Sequence, residues 1–237
     1  MVDATSALVL LSGGQDSTTV LYLAKLTHEH VHALTINYGQ RHAIELEAAV
    51  KVAKLAGVKS HEILEVGSLL KGTSPLTNAD VDVAQYANAD SLPGGLEATF
   101  VPARNALFLT LAANRAYVLG CDRIYIGVSQ EDNAGYPDCR MDFIVSMEIA
   151  LRNALDKGIH LKVPLIDLNK KETVWMAQEM DGCMDALAQS HTCYRGEYPP
   201  CGKCHACLIR ARGFEMVGIE DPLVARAKRE GLIPQLT

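Results

Sequence analysis

Ala7-Leu8-Val9-Leu10-Leu11-Ser12-Gly13-Gly14-Gln15-Asp16-Ser17-Thr18-Thr19-Val20 is the stretch on which the fold turns. An apolar run leads into Ser12–Ser17, and an apolar-periodic segment, Thr18 to Leu26, follows at once. That order reads as strand, tight glycine turn, helix. Adjacent glycines let backbone N–H groups approach an anion with no Cβ in the way. The helix start adds free N–H donors and the positive end of its dipole. Hydroxyls of Ser12, Ser17 and Thr18 can donate further. The stretch is expected to hold phosphate, and specifically ATP, through Leu10, Leu11, Ser12, Gly13, Gly14, Gln15, Asp16, Ser17, Thr18, Thr19 and Val20.

The type of phosphate loop follows by exclusion. A Walker loop needs a lysine after its last glycine, and no lysine precedes Lys25. The dinucleotide fingerprint needs three spaced glycines, yet Gly13 and Gly14 are adjacent and the next is Gly39. What remains, SGGxDS, resembles the pyrophosphate-binding loop of the ATP pyrophosphatase family. That resemblance implies a grip on the β- and γ-phosphates, leaving the α-phosphate open to attack, with AMP and pyrophosphate as products.

Outward from the loop the chain alternates strand and helix. Strand candidates are 7–11, 31–37, 61–66, 123–128 and 159–163; helical patterns fall near 18–26, 43–56, 104–119 and 143–156. Gly57, Gly120 and Gly158 stand just past helical segments, where a left-handed cap is wanted. The strands are apolar without strict alternation, as when both faces of a sheet are covered. The expected fold is α/β: a doubly wound, Rossmann-like parallel sheet. Ligands in such sheets bind beyond the carboxyl ends of strands. There the sequence places the glycine loop, Asn37-Tyr38-Gly39-Gln40-Arg41 and Ser129-Gln130-Glu131-Asp132. Residues 71–102 are rich in turn formers and read as a functional loop, a lid or an oligomer contact. Beyond Asp167 a second unit is expected: a helix near 171–180, a cysteine-rich segment and a helix near 205–217. The division is thus 1–167 for the α/β domain and 168–237 for a small helical metal-binding unit.

The chain has 237 residues, 49% of them hydrophobic, which is ample for a buried core. A net charge of −6 argues against a broad nucleic-acid surface. No basic region precedes the first apolar run, and that run is too short for a signal peptide or a membrane span. A cytoplasmic, soluble protein is expected. Seven cysteines, four of them clustered, fit a reducing compartment and a metal site.

Cys193, Cys201, Cys204 and Cys207 have the spacing C-x7-C-x2-C-x2-C. Four thiolates suit a structural Zn²⁺ at ~2.3 Å per bond, with no position left open for catalysis. Pro199, Pro200 and Gly202 favour the tight turn such a knuckle needs. An iron–sulfur cluster is the rival, though the fourth cysteine of ferredoxin-type runs is missing. His205 can stand in for one cysteine. Of the others, Cys121 reads as core, Cys183 has no partner at ligand spacing, and Cys139 lies in a polar loop where a nucleophile would still lack a base.

Several segments together resemble one branch of the ATP pyrophosphatases, the 7-cyano-7-deazaguanine synthase family. They are residues 11–19, Asn37-Tyr38-Gly39-Gln40-Arg41-His42, Phe100-Val101-Pro102-Ala103-Arg104-Asn105, Gly127-Val128-Ser129-Gln130-Glu131-Asp132, Gly135-Tyr136-Pro137-Asp138-Cys139-Arg140, Val163-Pro164-Leu165 with Lys170, and the four cysteines. Ala103 departs from the pattern, which has glycine there; on that ground the turn is not expected to need positive φ. The resemblance implies adenylation of 7-carboxy-7-deazaguanine, displacement of AMP by ammonia, and dehydration of the amide to a nitrile after a second activation. It implies ATP with Mg²⁺, one structural Zn²⁺, a homodimer, small-molecule partners and no direct contact with nucleic acid. Asp16 is either a Mg²⁺ contact or the cap of the helix it opens. Arg104 and Lys170 are expected to neutralise phosphate, each alternatively a solvated ion pair. Asn37, Tyr38 and Arg41 are placed for adenine or phosphate. Arg104, Asn105, Gln130, Asp132, Tyr136, Asp138 and Arg140 are expected around the deazapurine, with Asp138 accepting from its amidine edge or fixing its loop, and Tyr136 stacking or anchoring. A tRNA-thiolating ATP pyrophosphatase is the alternative, and it would need a basic surface.

Overall fold

The computed structural model describes residues 5–40, 43–72, 74–93, 95–129 and 135–234. Arg41, Gln130 and Asp132, with His42 and Glu131 of the quoted motifs, lie outside the described residues.

Each expected strand pairs in one parallel sheet. β1 (Ser6–Leu10), β2 (His30–Asn37), β3 (Ser60–Glu65), β4 (Arg123–Tyr125) and β5 (His160–Lys162) run in the order β3-β2-β1-β4-β5. The register is continuous through the centre: Leu8 lies opposite His32 on one side and Ile124 on the other. Chain order reverses between β1 and β4, so the switch point of the sheet lies at the carboxyl end of β1. Both faces are covered, and the period of two in a strand sorts the side chains. Ala7, Val9 and Leu11 enter one core, with α1 (Gln15–Thr27) and α2 (Ala43–Ala56). Leu8 and Leu10 enter the other, with α3 (Arg104–Leu119) and α4 (Met141–Leu155). Burying each such side chain stabilises the fold by about 1.5–3 kcal/mol.

After β5 come α5 (Lys170–Gln178), α6 (Cys183–Leu187), α7 (His205–Val217) and α8 (Pro222–Arg229). Val174, Ala177, Cys183, Leu187 and Phe214 belong to the same core as α1 and α2. α6 and α8 were not expected. α6 is a single short turn, too brief for periodicity to register, and α8 starts from the Asp221 cap, whose carboxylate accepts from Leu223 N, with Pro222 next.

The strands end earlier than expected, β4 at Tyr125 and β5 at Lys162. Gly158 is not the cap of α4: Asp156 takes the left-handed conformation two residues sooner, with φ 48°. Ala103 is a second correction. It has φ 58° and ψ 17° although it is not glycine, so the turn into α3 does need positive φ. The described residues of 71–102 are irregular apart from one 3-10 turn at Ala89–Ser91, and part of them lies against the cysteine segment. Val83 is buried with Cys193, Cys204 and Cys207, and Tyr86 N donates to Lys203 O at 2.8 Å.

Candidate active site and metal centre

Gly14 ends the loop with φ −80° and caps α1 without any side-chain bond. Asp16 therefore is not the cap; it sits in the first helical turn. Gly13 is at φ +87°, and a Cβ there would lie 2.5 Å from Glu45 O and 2.7 Å from Ala49 N, both backbone atoms of α2. Only glycine lets the loop pass this close to the neighbouring helix. Ser12 Oγ and Ser17 Oγ are 2.9 Å apart, and Ser17 Oγ also donates to Gly14 O at 3.2 Å.

Above this loop lies a cavity of about 230 Å³. Its apolar wall includes Leu10, Leu34, Ile36, Phe108 and Val128, and its polar wall includes Ser12, Gly14, Gln15, Asp16 and Ser17. Tyr38, Glu45, Arg104 and Asn105 close one side; His191, Thr192 and Tyr194 close another. Burial opposes the charge on Arg104, yet Tyr38, Tyr194 and Asp138 around it hold the guanidinium above its ordinary range. It stays cationic. Burial raises the Tyr38 hydroxyl. Burial also pushes Glu45 up to about 7, against the pull of Arg104 and with the help of Cys193.

Beside the main cavity a smaller one shares Gln15, Asp16, Thr192 and Tyr194, and Lys170 lines it. Lys170 Nζ donates to Asp16 Oδ1 at 2.7 Å. The lysine side chain is 10% exposed and the aspartate 27%, so this is a sheltered pair, unlike the solvated one considered from sequence. α5 delivers the lysine from its first position. Asn169 Oδ1 accepts from Glu172 N, and Glu172 Oε2 accepts from Asn169 N, a reciprocal cap that fixes where the helix begins.

Not every expected residue faces this space. Val20 is fully buried in the core. Thr18 Oγ1 donates to Gly14 O at 2.8 Å and Thr19 Oγ1 to Gln15 O at 3.0 Å, so both hydroxyls serve the helix rather than a phosphate. Asn37 Oδ1 accepts from Gly39 N and turns the β2 loop. Asp138 is committed to α3: its Oδ2 accepts from Asn105 N at 3.1 Å, while Asn105 Nδ2 donates to Asp138 O at 3.0 Å. It caps α3 from a distant loop and lines neither cavity. Tyr136 is an anchor, with its hydroxyl 2.5 Å from Thr99 Oγ1 and its ring 5.3 Å from Phe100. Arg140 is exposed ahead of α4 and does not line the cavity. Cys139 reaches the cavity, but burial, reinforced by Asp138, pushes its thiol up to about 12, which is unsuited to a nucleophile.

The four cysteines converge. Their sulfurs lie within 4.8 Å of one another, and Cys201 Sγ is 3.9 Å from Cys207 Sγ. A tetrahedron of sulfurs at ~2.3 Å from one ion has edges of roughly 3.8 Å, so the set fits a four-coordinate metal. Backbone N–H groups of Lys203 and Cys204 donate to Cys201 Sγ at 3.5 and 3.3 Å. Cys204 caps α7, whose N-terminal dipole favours thiolate. Thiol donors from Cys204 and Cys207, with His191, draw the Cys193 thiol well down. His205 is not part of the group; its Nδ1 lies 3.5 Å from Glu97 Oε2.

The model of the family described as queuosine biosynthesis protein QueC matches residues 6–218. The chain belongs to the QueC family. Among curated members, the 7-cyano-7-deazaguanine synthase of Gloeobacter violaceus is 51% identical over 92% of this chain and 94% of that protein. The enzyme of the same name from Chromobacterium violaceum is 47% identical over 94% and 95%. The match agrees with the deazaguanine resemblance, and a tRNA-thiolating enzyme is not favoured. A solved NMN synthetase from Francisella tularensis superposes with a TM-score of 0.50 at 14% identity, over 99% of this chain and 90% of that one. That likeness concerns the fold alone.

For this QueC-family site, sequence reasoning missed Glu45, His191, Thr192 and Tyr194. No spacing rule joins them to the glycine loop. Only Thr192 and Tyr194 carried a faint signal, flanking Cys193, a cysteine already singled out. Among the described residues, no helix is long and apolar enough to cross a membrane.

Proposed function

We propose that the chain converts 7-carboxy-7-deazaguanine and ammonia to 7-cyano-7-deazaguanine at the expense of ATP. One observation carries the reading: in a QueC-family chain, the SGGQDS loop opens at the switch point of the sheet into a cavity also lined by Arg104. The loop N–H groups and Lys170 would take the outer phosphates. Arg104 would face the α-phosphate and the attacking carboxylate. Asp16, already fixed by Lys170, would contact the Mg²⁺ that accompanies ATP.

The carboxylate oxygen attacks the α-phosphorus and pyrophosphate leaves. Ammonia then attacks the acyl carbon, AMP leaves with the carboxylate oxygen, and a proton is lost to give the amide. The amide oxygen then attacks the α-phosphorus of a second ATP and pyrophosphate leaves; loss of AMP and of both amide protons closes the C≡N bond. The apolar wall around Leu10, Leu34 and Phe108 would keep bulk water from the acyl adenylate. The amidine edge of the base, left without Asp138, would turn to Glu45.

The cysteine tetrad would hold one Zn²⁺ with no vacant position, giving it a structural task. The working division remains 1–167 for the chemistry and 168–237 for the metal unit, which also lends Lys170 to the site. We further infer a cytoplasmic homodimer that acts on small molecules without touching nucleic acid. The test is mass spectrometry of a mixture of the protein, the deazaguanine acid, ammonium and MgATP. Nitrile with AMP is the expected product; turnover only with tRNA and a sulfur donor would overturn the reading.

A further inference from the structure

Gly213 is, among the described residues, the one glycine inside a helix. Glycine is a poorer helix former than alanine, so its place within α7 needs a reason from outside the helix. Positive φ is not that reason, because Gly213 does not adopt it, unlike Gly13 and Gly202. The reason stands opposite, at the start of α5. A Cβ at Gly213 would lie 2.4 Å from Lys170 Cγ, 3.1 Å from Lys170 O and 3.2 Å from Lys170 Cβ. The lysine stem thus runs through the space that a side chain would fill, on its way to Asp16 Oδ1 at 2.7 Å.

Neither helix is free to step back. The reciprocal cap of Asn169 and Glu172 fixes the start of α5. Cys204 and Cys207 of the metal-ligating group tie the start of α7. Further along α7, Arg210 donates to both carboxylate oxygens of Asp221, at 2.7 and 2.8 Å, and to Leu187 O at 3.1 Å. Phe214, 2% exposed, anchors the helix in the core that holds α1. A methyl group at 213 must therefore be met by the lysine. Cγ is only the second carbon of that side chain. Displacing it turns the stem toward another staggered rotamer and carries the ammonium away from Asp16.

We propose that Gly213 is a positioning residue for Lys170, keeping open the slot through which the ammonium reaches Asp16 and the outer phosphates of ATP. The proposal rests on the reading that Lys170 takes those phosphates. Gly213 itself lines neither cavity and acts only through the lysine. A misplacement of about 1 Å in a group that orients the reactants can cost on the order of 100-fold in rate.

The test compares wild type, Gly213→Ala, Lys170→Ala and the double variant with the deazaguanine acid, ammonium and MgATP. Gly213→Ala is expected to keep its fold and metal, since alanine suits a helix better. Its kcat/KM for MgATP should fall about tenfold or more while KM for the acid stays unchanged; a general loosening would move both. Lys170→Ala should lose at least as much. In the double variant the 2.4 Å conflict disappears with Cγ, so its kcat/KM should match that of Lys170→Ala within about twofold. Losses that multiply in the double variant would place the effect of the glycine elsewhere and overturn the proposal. So would wild-type kcat/KM in Gly213→Ala. If Gly213→Ala does not fold, the double variant decides. Folding regained by removing the lysine stem upholds the shared slot; a double variant that stays unfolded shows that the glycine serves helix packing alone. Wild-type turnover in Lys170→Ala would instead remove the lysine from the phosphates, and the positioning role with it.

Discussion

The glycine loop and the cysteine knuckle use the same donor in opposite settings. In the knuckle, N–H groups of Lys203 and Cys204 reach Cys201 Sγ; in the proposed function, those of the loop would reach phosphate. In the loop, residues 12–17 are contiguous, and β1 and α1 on either side dictate their path. In the knuckle the ligands span residues 193–207, and the 71–102 segment closes over them through Val83 and Tyr86. The loop keeps its shape through the sheet and waits for a ligand. The knuckle gathers four sulfurs that repel one another when ionised, a repulsion that a bound cation would relieve. A change in the knuckle should therefore cost structure first, and a change in the loop should cost ligand binding first.

The largest effect tests the knuckle. Cys201→Ser is expected to lose the metal and destabilise the protein by more than about 4 kcal/mol, since metal binding and folding are one free energy in such sites. Metal content and thermal unfolding measure it. A soluble, metal-free variant with wild-type turnover would erase the contrast. Next comes the loop. Gly13→Ala forces a Cβ to 2.5 Å from Glu45 O in a residue at φ +87°. The backbone must shift, at a cost of roughly 2–4 kcal/mol, and the N–H groups shift with it. ATP affinity by calorimetry should fall at least tenfold while metal content stays unchanged. Normal ATP binding in this variant would show that the loop is not the phosphate cradle.

How much of this was legible in the sequence follows from the same contrast. The loop, the strands and α2, α3 and α7 obey local rules, and local patterns located them. The tetrad was legible because cysteine spacing alone restricts its geometry. The reciprocal cap Asn169–Glu172 was also written in the sequence as N-x-x-E, with Asn169 two residues before the helix start that periodicity indicated. The opposite wall of the cavity was not legible. Glu45 comes from the first turns of α2, and His191 from a strap between α6 and the knuckle. Their approach depends on how α6 packs against α1 and α2, which no short window contains. Of the two roles expected for Asp138, the structure displays the loop-fixing one: the N-terminus of α3, left without a side-chain cap by Ala103, takes its Oδ2.

Glu45 sharpens the comparison at its point of contact, since both Arg104 and Cys193 act on it. Its carboxyl sits at about 7 in the folded protein, raised chiefly by burial, against about 4.3 when unfolded. The folded state thus holds the proton more tightly. Between roughly pH 4.3 and 7 the unfolded chain binds fewer protons, so Glu45 lowers stability progressively as pH rises through that window. Glu45→Gln cannot ionise. Its melting temperature, relative to wild type, is expected to climb from pH 5 to pH 7 and then level off. Parallel profiles for the two proteins would show that Glu45 is not held protonated near neutrality.

The smallest effect concerns backbone strain, and the two regions treat it in opposite ways. In the knuckle, Gly202 has φ +70°, with nothing within 4 Å of where a Cβ would stand. Beside the main cavity, Ala103 has φ 58° immediately before Arg104. A left-handed conformation costs an alanine roughly 1–2 kcal/mol, and glycine returns about 0.5–1 kcal/mol of that through its freer unfolded chain. Gly202→Ala should therefore destabilise by roughly 0.5–1 kcal/mol without steric conflict. Ala103→Gly should stabilise by a similar amount, helped by the better standing of glycine at a helix N-cap. At this chain length each shift is about 1–4 °C in melting temperature, in opposite directions. If Ala103→Gly gains stability and keeps its turnover, the strain before Arg104 is incidental to the chemistry. If it gains stability and loses turnover, the alanine is holding the guanidinium in place, and the strain beside the cavity belongs to the function.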